Sequence, residues 1–129
     1  MISGALTSID DFYIIGTGLV VQETSITNIN FELWKHIRPE SIVLQFIRNL
    51  VANRLAMSGE EWTHIYEQHN SGTYNDQFMV IDFKQFRVGS QLDDLSDNLL
   101  WILEQMPGII SSGDETGIQI IYVKKEGNS

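Results

Sequence analysis

A chain of 129 residues, 43% hydrophobic and 19% charged, has the composition of a folded domain with a modest core and not of a disordered segment. A formal net charge of −9 excludes nucleic acid and anionic membrane as natural direct partners, because both would repel it. The absence of cysteine excludes a disulfide framework, a thiolate metal site and a cysteine nucleophile within these residues.

The opening run Met1–Tyr13 has no basic stretch followed by a long apolar one, so no signal peptide is expected. No segment approaches about 18 uninterrupted apolar residues, so no transmembrane segment is expected. Phe12 to Ile15 and Leu19 to Gln22 are β-prone runs separated by Gly16-Thr17-Gly18, which predicts a tight hairpin. Asn28 to Asn30 reads as a turn, with Asn30 placed to cap a short helix through His36 before Pro39. Ile42, Val43, Phe46, Ile47, Leu50, Val51 and Leu55 recur at helical spacing and predict one wide, core-facing stripe. Gln45, Arg48, Asn49, Asn53 and Arg54 lie off that stripe and read as solvated. Ser58-Gly59-Glu60-Glu61 reads as a capping box, in which Glu61 reaches back to the Ser58 amide. It opens a second helix to about Gln68, with Trp62, Ile65 and Tyr66 on its buried side.

The phrase NSGTYNDQ, Asn70 to Gln77, follows. Then Phe78 to Phe83 reads as a strand apolar on both faces. Arg87 to Asn98 is a polar loop. Leu99 to Leu103 reads as a further strand, stopped by the stretch ending in Pro107-Gly108. A strand at Ile118 to Val123 is also predicted. Strands in a pair, helices together and then strands again give an α+β fold class. One helical hairpin covers only one sheet face, so something else must cover the other. Trp34, Trp62 and Trp101 are expected in the packing.

His36, His64 and His69 show no metal-ligand spacing, so no metal and no cofactor are expected. The density of amides and hydroxyls in NSGTYNDQ has two readings. It is a helix-to-strand turn whose side chains satisfy chain ends, or it lines a site where neutral amides stabilise an oxyanion.

The run NSGTYNDQFMVIDFKQF (Asn70 to Phe86) resembles the phospholipase B-like family. So do SIDDFYIIGTGLVVQETSI (Ser8 to Ile26), ANRLAMSGEEWTHIY (Ala52 to Tyr66) and LLWILEQMPG (Leu99 to Gly108). The resemblance covers most of residues 3 to 116, in order, within a single partial domain at 1–129. It implies part of an Ntn-hydrolase-like α-β-β-α sandwich with antiparallel sheets. It also implies acyl hydrolysis of lipid or amide substrates by an upstream N-terminal cysteine that this chain lacks, in a secreted or lysosomal setting. The implied partner is the remaining part of a phospholipase B-like chain. On motif position, Asn70 and Asn75 are the candidate oxyanion or positioning residues, and Thr73, Gln77, Glu23 and Thr24 the candidate substrate-binding ones. Arg48 and Arg54 are further groups able to orient a substrate. The chain alone is expected to be inactive and poorly soluble. A truncated, non-catalytic relative acting as a binding or structural module is the alternative, and a small stand-alone binding domain a third.

Overall fold

A computed structural model describes residues 11–91 and 94–117. Its frame is a five-stranded antiparallel sheet in which sequence order and spatial order coincide. Strands β1 (Phe12–Ile14) and β2 (Leu19–Ser25) form the expected hairpin, with Tyr13 opposite Val21. Gly18 closes its turn at φ 87°, a conformation that costs glycine little. After a 3-10 helix, Phe31–His36, capped by Asn30 through the Glu32 amide, come helices α1 (Gln45–Leu55) and α2 (Gly59–Tyr66). Strand β3 (Asp76–Asp82) then returns beside β2, and β4 (Leu100–Met106) and β5 (Ile109–Asp114) complete the sheet. The architecture is therefore α+β with a helical hairpin on one sheet face.

The core lies between that face and the helices. Leu19, Val21, Phe78, Val80 and Leu103 project from the sheet against Ala52, Ala56, Trp62 and Tyr66. Trp62 and Tyr66 stack at 4.8 Å, and Phe78 tilts against both. The Trp62 indole N–H donates to Asn53 at 2.7 Å, which satisfies its one polar atom inside the core. Helix α2 starts against the sheet: a Cβ on Gly59 would lie 2.8 Å from the Trp101 ring.

Helix α1 lies the other way round from the orientation its periodicity predicts. The residues it buries are Gln45, Arg48, Asn49 and Ala52. Phe46 is 37% exposed, Ile47 39%, Val51 39% and Leu55 64%. Arg48, expected on the surface, is only 4% exposed. Its Nη1 donates to Gln105 Oε1 at 2.6 Å and its Nη2 to the Tyr66 carbonyl oxygen, while the guanidinium carbon lies 4.1 Å above the Tyr66 ring. Gln105 passes the connection on by donating to the Tyr74 carbonyl oxygen. These two acceptors and the aromatic face hold the guanidinium in place, although its Nε has no partner among the described residues and burial lowers its pKa from the ordinary value. Moved elsewhere, the helix would strand those acceptors.

Other expectations shift by smaller amounts. Helix α1 begins at Gln45, leaving Ile42 and Val43 outside it. The Ser58 hydroxyl caps α2 through the Glu61 amide, but the Glu61 carboxylate accepts from the Met57 amide at 2.8 Å, one residue earlier than a capping box requires. Trp34 is 41% exposed because its 3-10 helix buries no residue. Strand β4 continues past Leu103 to Met106, and β5 pairs with it through the Pro107-Gly108 turn. Ile118 to Val123 lies outside the described residues.

Arg48→Ala removes the charge-assisted bonds and leaves Gln105 and the Tyr66 carbonyl unmatched, so it should lower stability by about 3 kcal/mol. Ile47→Ala, on the predicted stripe, should cost under about 1 kcal/mol. Urea unfolding followed by tryptophan fluorescence measures both. The reverse ranking would mean that α1 packs through its apolar side.

Candidate functional site

Strand residues alternate between faces. The helix-facing set of β3 is Asp76, Phe78, Val80 and Asp82, all buried, while Gln77, Met79 and Ile81 point to the other side and are half-buried. Among the described residues no element covers that second face. It is concave, enclosing about 510 Å³, and is lined by Gln22, Gln77, Met79, Ile102, Glu104 and Ser111 among others.

The lining is ordered along the strands. Thr24, Gln77, Glu104 and Ser111 stand in register across β2, β3, β4 and β5. The next row on this face is Gln22, Met79, Ile102 and Gly113, and the one beyond contains Val20, Ile81 and Leu100. One end of the hollow is therefore polar, and the rest mixes Met79, Ile81, Leu100 and Ile102 with Gln22 and Glu115. Gln77 Nε2 donates to Glu104 Oε1 at 2.7 Å. The second amide hydrogen of Gln77 and the second carboxylate oxygen of Glu104 make no hydrogen bond among the described residues, so a donor and an acceptor stand side by side next to Met79 and Ile102. That pairing suits a polar group carried on an aliphatic chain.

The structure separates the expected site residues into four groups. Thr24 and Gln77 meet on the open face. Thr73 and Asn75 meet at the sheet end, where they line a smaller hollow of about 320 Å³ with Ser25 and Asp76. Thr73 is exposed and its hydroxyl bonds Ser71 at 3.2 Å. Asn75 is half-buried, and its Oδ1 is buried without a hydrogen-bond partner among the described residues. Asn70 clasps the β4–β5 turn: Nδ2 donates to Met106 O at 2.8 Å and to Ile109 O at 3.4 Å, and Oδ1 accepts from the Gly72 amide at 2.7 Å. All three contacts are with backbone. The clasp is tight, since a Cβ on Gly72 would lie 3.0 Å from Pro107 Cα, and one on Gly108 would lie 2.6 Å from His36 Cβ.

Glu23 follows the alternation to the helix side, opposite in direction to Thr24. Burial, then the Asp76 and Asp11 carboxylates, push the Glu23 carboxyl above its ordinary value. Burial also raises Asp76, against a lowering hydrogen bond from Ser25. Arg48 is buried beneath α1, while Arg54 is exposed beside Leu50 and Leu55. Glu104 and Ser111 were missed because the strand reads as ending at Leu103. The signal for Glu104 was its two-residue spacing from Leu100 and Ile102. No group of three or more His, Cys, Asp or Glu converges on a metal-sized point among the described residues. No described helix is long and apolar enough to cross a membrane.

The protein-family model described as Phospholipase B matches residues 2–123. The chain is 49% identical over 113 residues to "Putative phospholipase B-like 2" of Homo sapiens, an alignment covering 88% of this chain and 19% of the relative. It is 44% identical over 117 residues to phospholipase B-like protein C of Dictyostelium discoideum, covering 89% of this chain and 20% of that one. Protein A of the same organism is 45% identical over 115 residues, with 89% and 19% covered. The chain thus spans about a fifth of the length of these relatives.

Stability should vary with pH in two opposed ways. Glu23 and Asp76 have raised folded-state values, so their ionisation weighs against folding near neutrality. That burden lifts as pH falls through those values toward the ordinary 4.5 and 3.8. Burial would raise Asp114 too, but bonds from the Thr116 hydroxyl and the Asn98 and Thr116 amides outweigh it and hold the carboxyl below 3.8. Its contribution is complete above 3.8 and disappears as pH drops below that. The urea midpoint should peak at mildly acidic pH. Asp76→Asn should flatten the neutral limb and Asp114→Asn the acid limb.

Proposed function

The chain belongs to the phospholipase B family, and from that premise we propose that it forms one part of a phospholipase B-like acyl hydrolase. In this reading residues 1–129 are a single partial domain whose open sheet face lines the interior of an Ntn-hydrolase-like α-β-β-α sandwich. A second sheet from the rest of such a protein covers it. The observation that carries the reading is the polar row Thr24, Gln77, Glu104 and Ser111 standing beside Met79, Ile81 and Ile102 on one concave face, whose lining also includes Gln22, Ser112 and Glu115.

The chemistry follows from the side chains. An acyl ester or amide presents a carbonyl oxygen that becomes negative as a nucleophile adds. Gln77 has an amide hydrogen left over after bonding Glu104, and a neutral donor fixed in a low-dielectric interior stabilises that charge. Glu104 fixes the Gln77 amide and offers an acceptor to a hydroxyl or amine of the leaving group. Met79, Ile81 and Ile102 offer apolar surface to an acyl chain. The attacking sulfur and its base are supplied by polypeptide outside these residues, since no cysteine is present. Asn75 and Thr73, at the neighbouring sheet end, serve as positioning groups. Asn70 acts through the β4–β5 turn that carries Met106 and Ile109, not on the carbonyl itself. A secreted or lysosomal location fits the family and is supported by the relief of Glu23 and Asp76 at acidic pH.

The alternative, a truncated non-catalytic relative serving as a binding module, is favoured by one fact, the lack of a cysteine to serve as the family's nucleophile. Replacing the matching 113-residue stretch of the human relative by this chain separates the two readings. An acyl hydrolase part should restore fatty-acid release from phospholipid vesicles. Gln77→Ala should then lower kcat about 100-fold, the scale of one lost oxyanion donor, without moving the melting temperature. The 129-residue chain alone should release none. Hydrolysis by the chain alone, or a chimera indifferent to Gln77→Ala, would contradict the proposal.

A further inference from the structure

Helix α1 turns its apolar side away from the sheet, and α2 continues that surface. Two hollows flank Val51 there. One, of about 360 Å³, is bounded by Val43, Val51 and Ile65, and the other, of about 370 Å³, by Leu50, Val51 and Leu55. Leu44, Met57 and Leu55 extend the patch at 52%, 59% and 64% exposure. Contiguous apolar surface of this kind on a folded domain marks a contact with something else.

Charge does not dominate this surface: of the two arginines lining the hollows Arg54 is exposed, Arg48 is 4% exposed and turned to the sheet, and α2 carries Glu60 and Glu61 in its first turn. A ridge with a groove on either side is the surface that a second helix packs into. Its complement is a helix with aliphatic side chains along one face.

We infer that this α1–α2 face is a docking surface for an amphipathic helix, packed through its aliphatic face, from the polypeptide that family relatives possess and this chain does not span. The inference rests on the reading that the chain is one part of a phospholipase B-like protein. About four-fifths of each relative lies outside the aligned stretch, ample polypeptide to supply such a helix. The site is separate from the open sheet face: the helices lie on the opposite side of the sheet.

The test is co-expression of the tagged chain with the human relative from which the matching 113-residue stretch has been removed. The wild-type chain and a Val88→Asp control, a residue 97% exposed and remote from both hollows, should recover the partner. Val51→Asp with Leu55→Asp should reduce recovery at least tenfold. The same double variant, purified alone, should keep the circular dichroism and melting temperature of the parent, which separates lost docking from lost folding. Undiminished recovery with the helix-face variant, together with loss on Met79→Asp with Ile102→Asp, would overturn this inference and leave the sheet-face reading standing. Failure of the wild-type chain to recover the partner would overturn both. A dimer of the chain, or its capture by phosphatidylcholine vesicles, abolished by the helix-face variant would assign the surface to a second copy or to lipid and would also overturn the inference.

Discussion

The guanidinium of Arg48 decides which way helix α1 lies. It has acceptors at Gln105 and at the Tyr66 carbonyl, and an aromatic face beneath it. Burying a charge without such partners is costly, and leaving the partners without the charge is costly too. The helix therefore turns Gln45, Arg48 and Asn49 toward the sheet and Phe46, Ile47, Val51 and Leu55 away from it. Everything peculiar about the surface follows. A layer with polar contacts inside and aliphatic side chains outside has its apolar complement elsewhere.

The sheet repeats that logic on its other side. Alternation along β3 commits Phe78 and Val80 to the helices, and the same alternation exposes Met79 and Ile81. Both outer surfaces of this two-layer unit are thus partly apolar, one around α1 and one across the sheet. They differ in their polar content. The helix face is formed around aliphatic side chains such as Val51 and Leu55, whereas the sheet face carries the Gln77–Glu104 pair. That difference is why we propose acyl chemistry on the sheet and helix docking on α1.

Much of the frame was legible in the residues. The glycine-separated hairpin, the Asn30 and Ser58 caps, the aromatic side of α2 and the strand after NSGTYNDQ all follow from local rules, because local hydrogen bonds and steric limits determine them. The orientation of α1 was not legible. Periodicity reports that a helix has an apolar side but not which neighbour claims it, and the deciding contact joins Arg48 to a residue 57 positions away. Glu104, Ser111 and β5 were hidden for a related reason. The pairing of Met106 with Ile109 across the Pro107-Gly108 turn depends on a clasp from Asn70, 36 residues earlier in the chain. In the phrase NSGTYNDQ the first half holds a turn by backbone bonds, and the last residue stands on the open sheet face where an acyl site is proposed.

The absence of native cysteine makes the orientation of α1 directly measurable, since one introduced thiol is the only thiol present. Val51→Cys and Ala52→Cys are adjacent on the helix, at 39% and 0% exposure. Reaction of each folded variant with a water-soluble thiol reagent should label Val51→Cys at least about tenfold faster, since labelling of a buried thiol waits for local opening. Equal rates, or faster reaction at Ala52→Cys, would place the apolar stripe against the sheet and contradict the account.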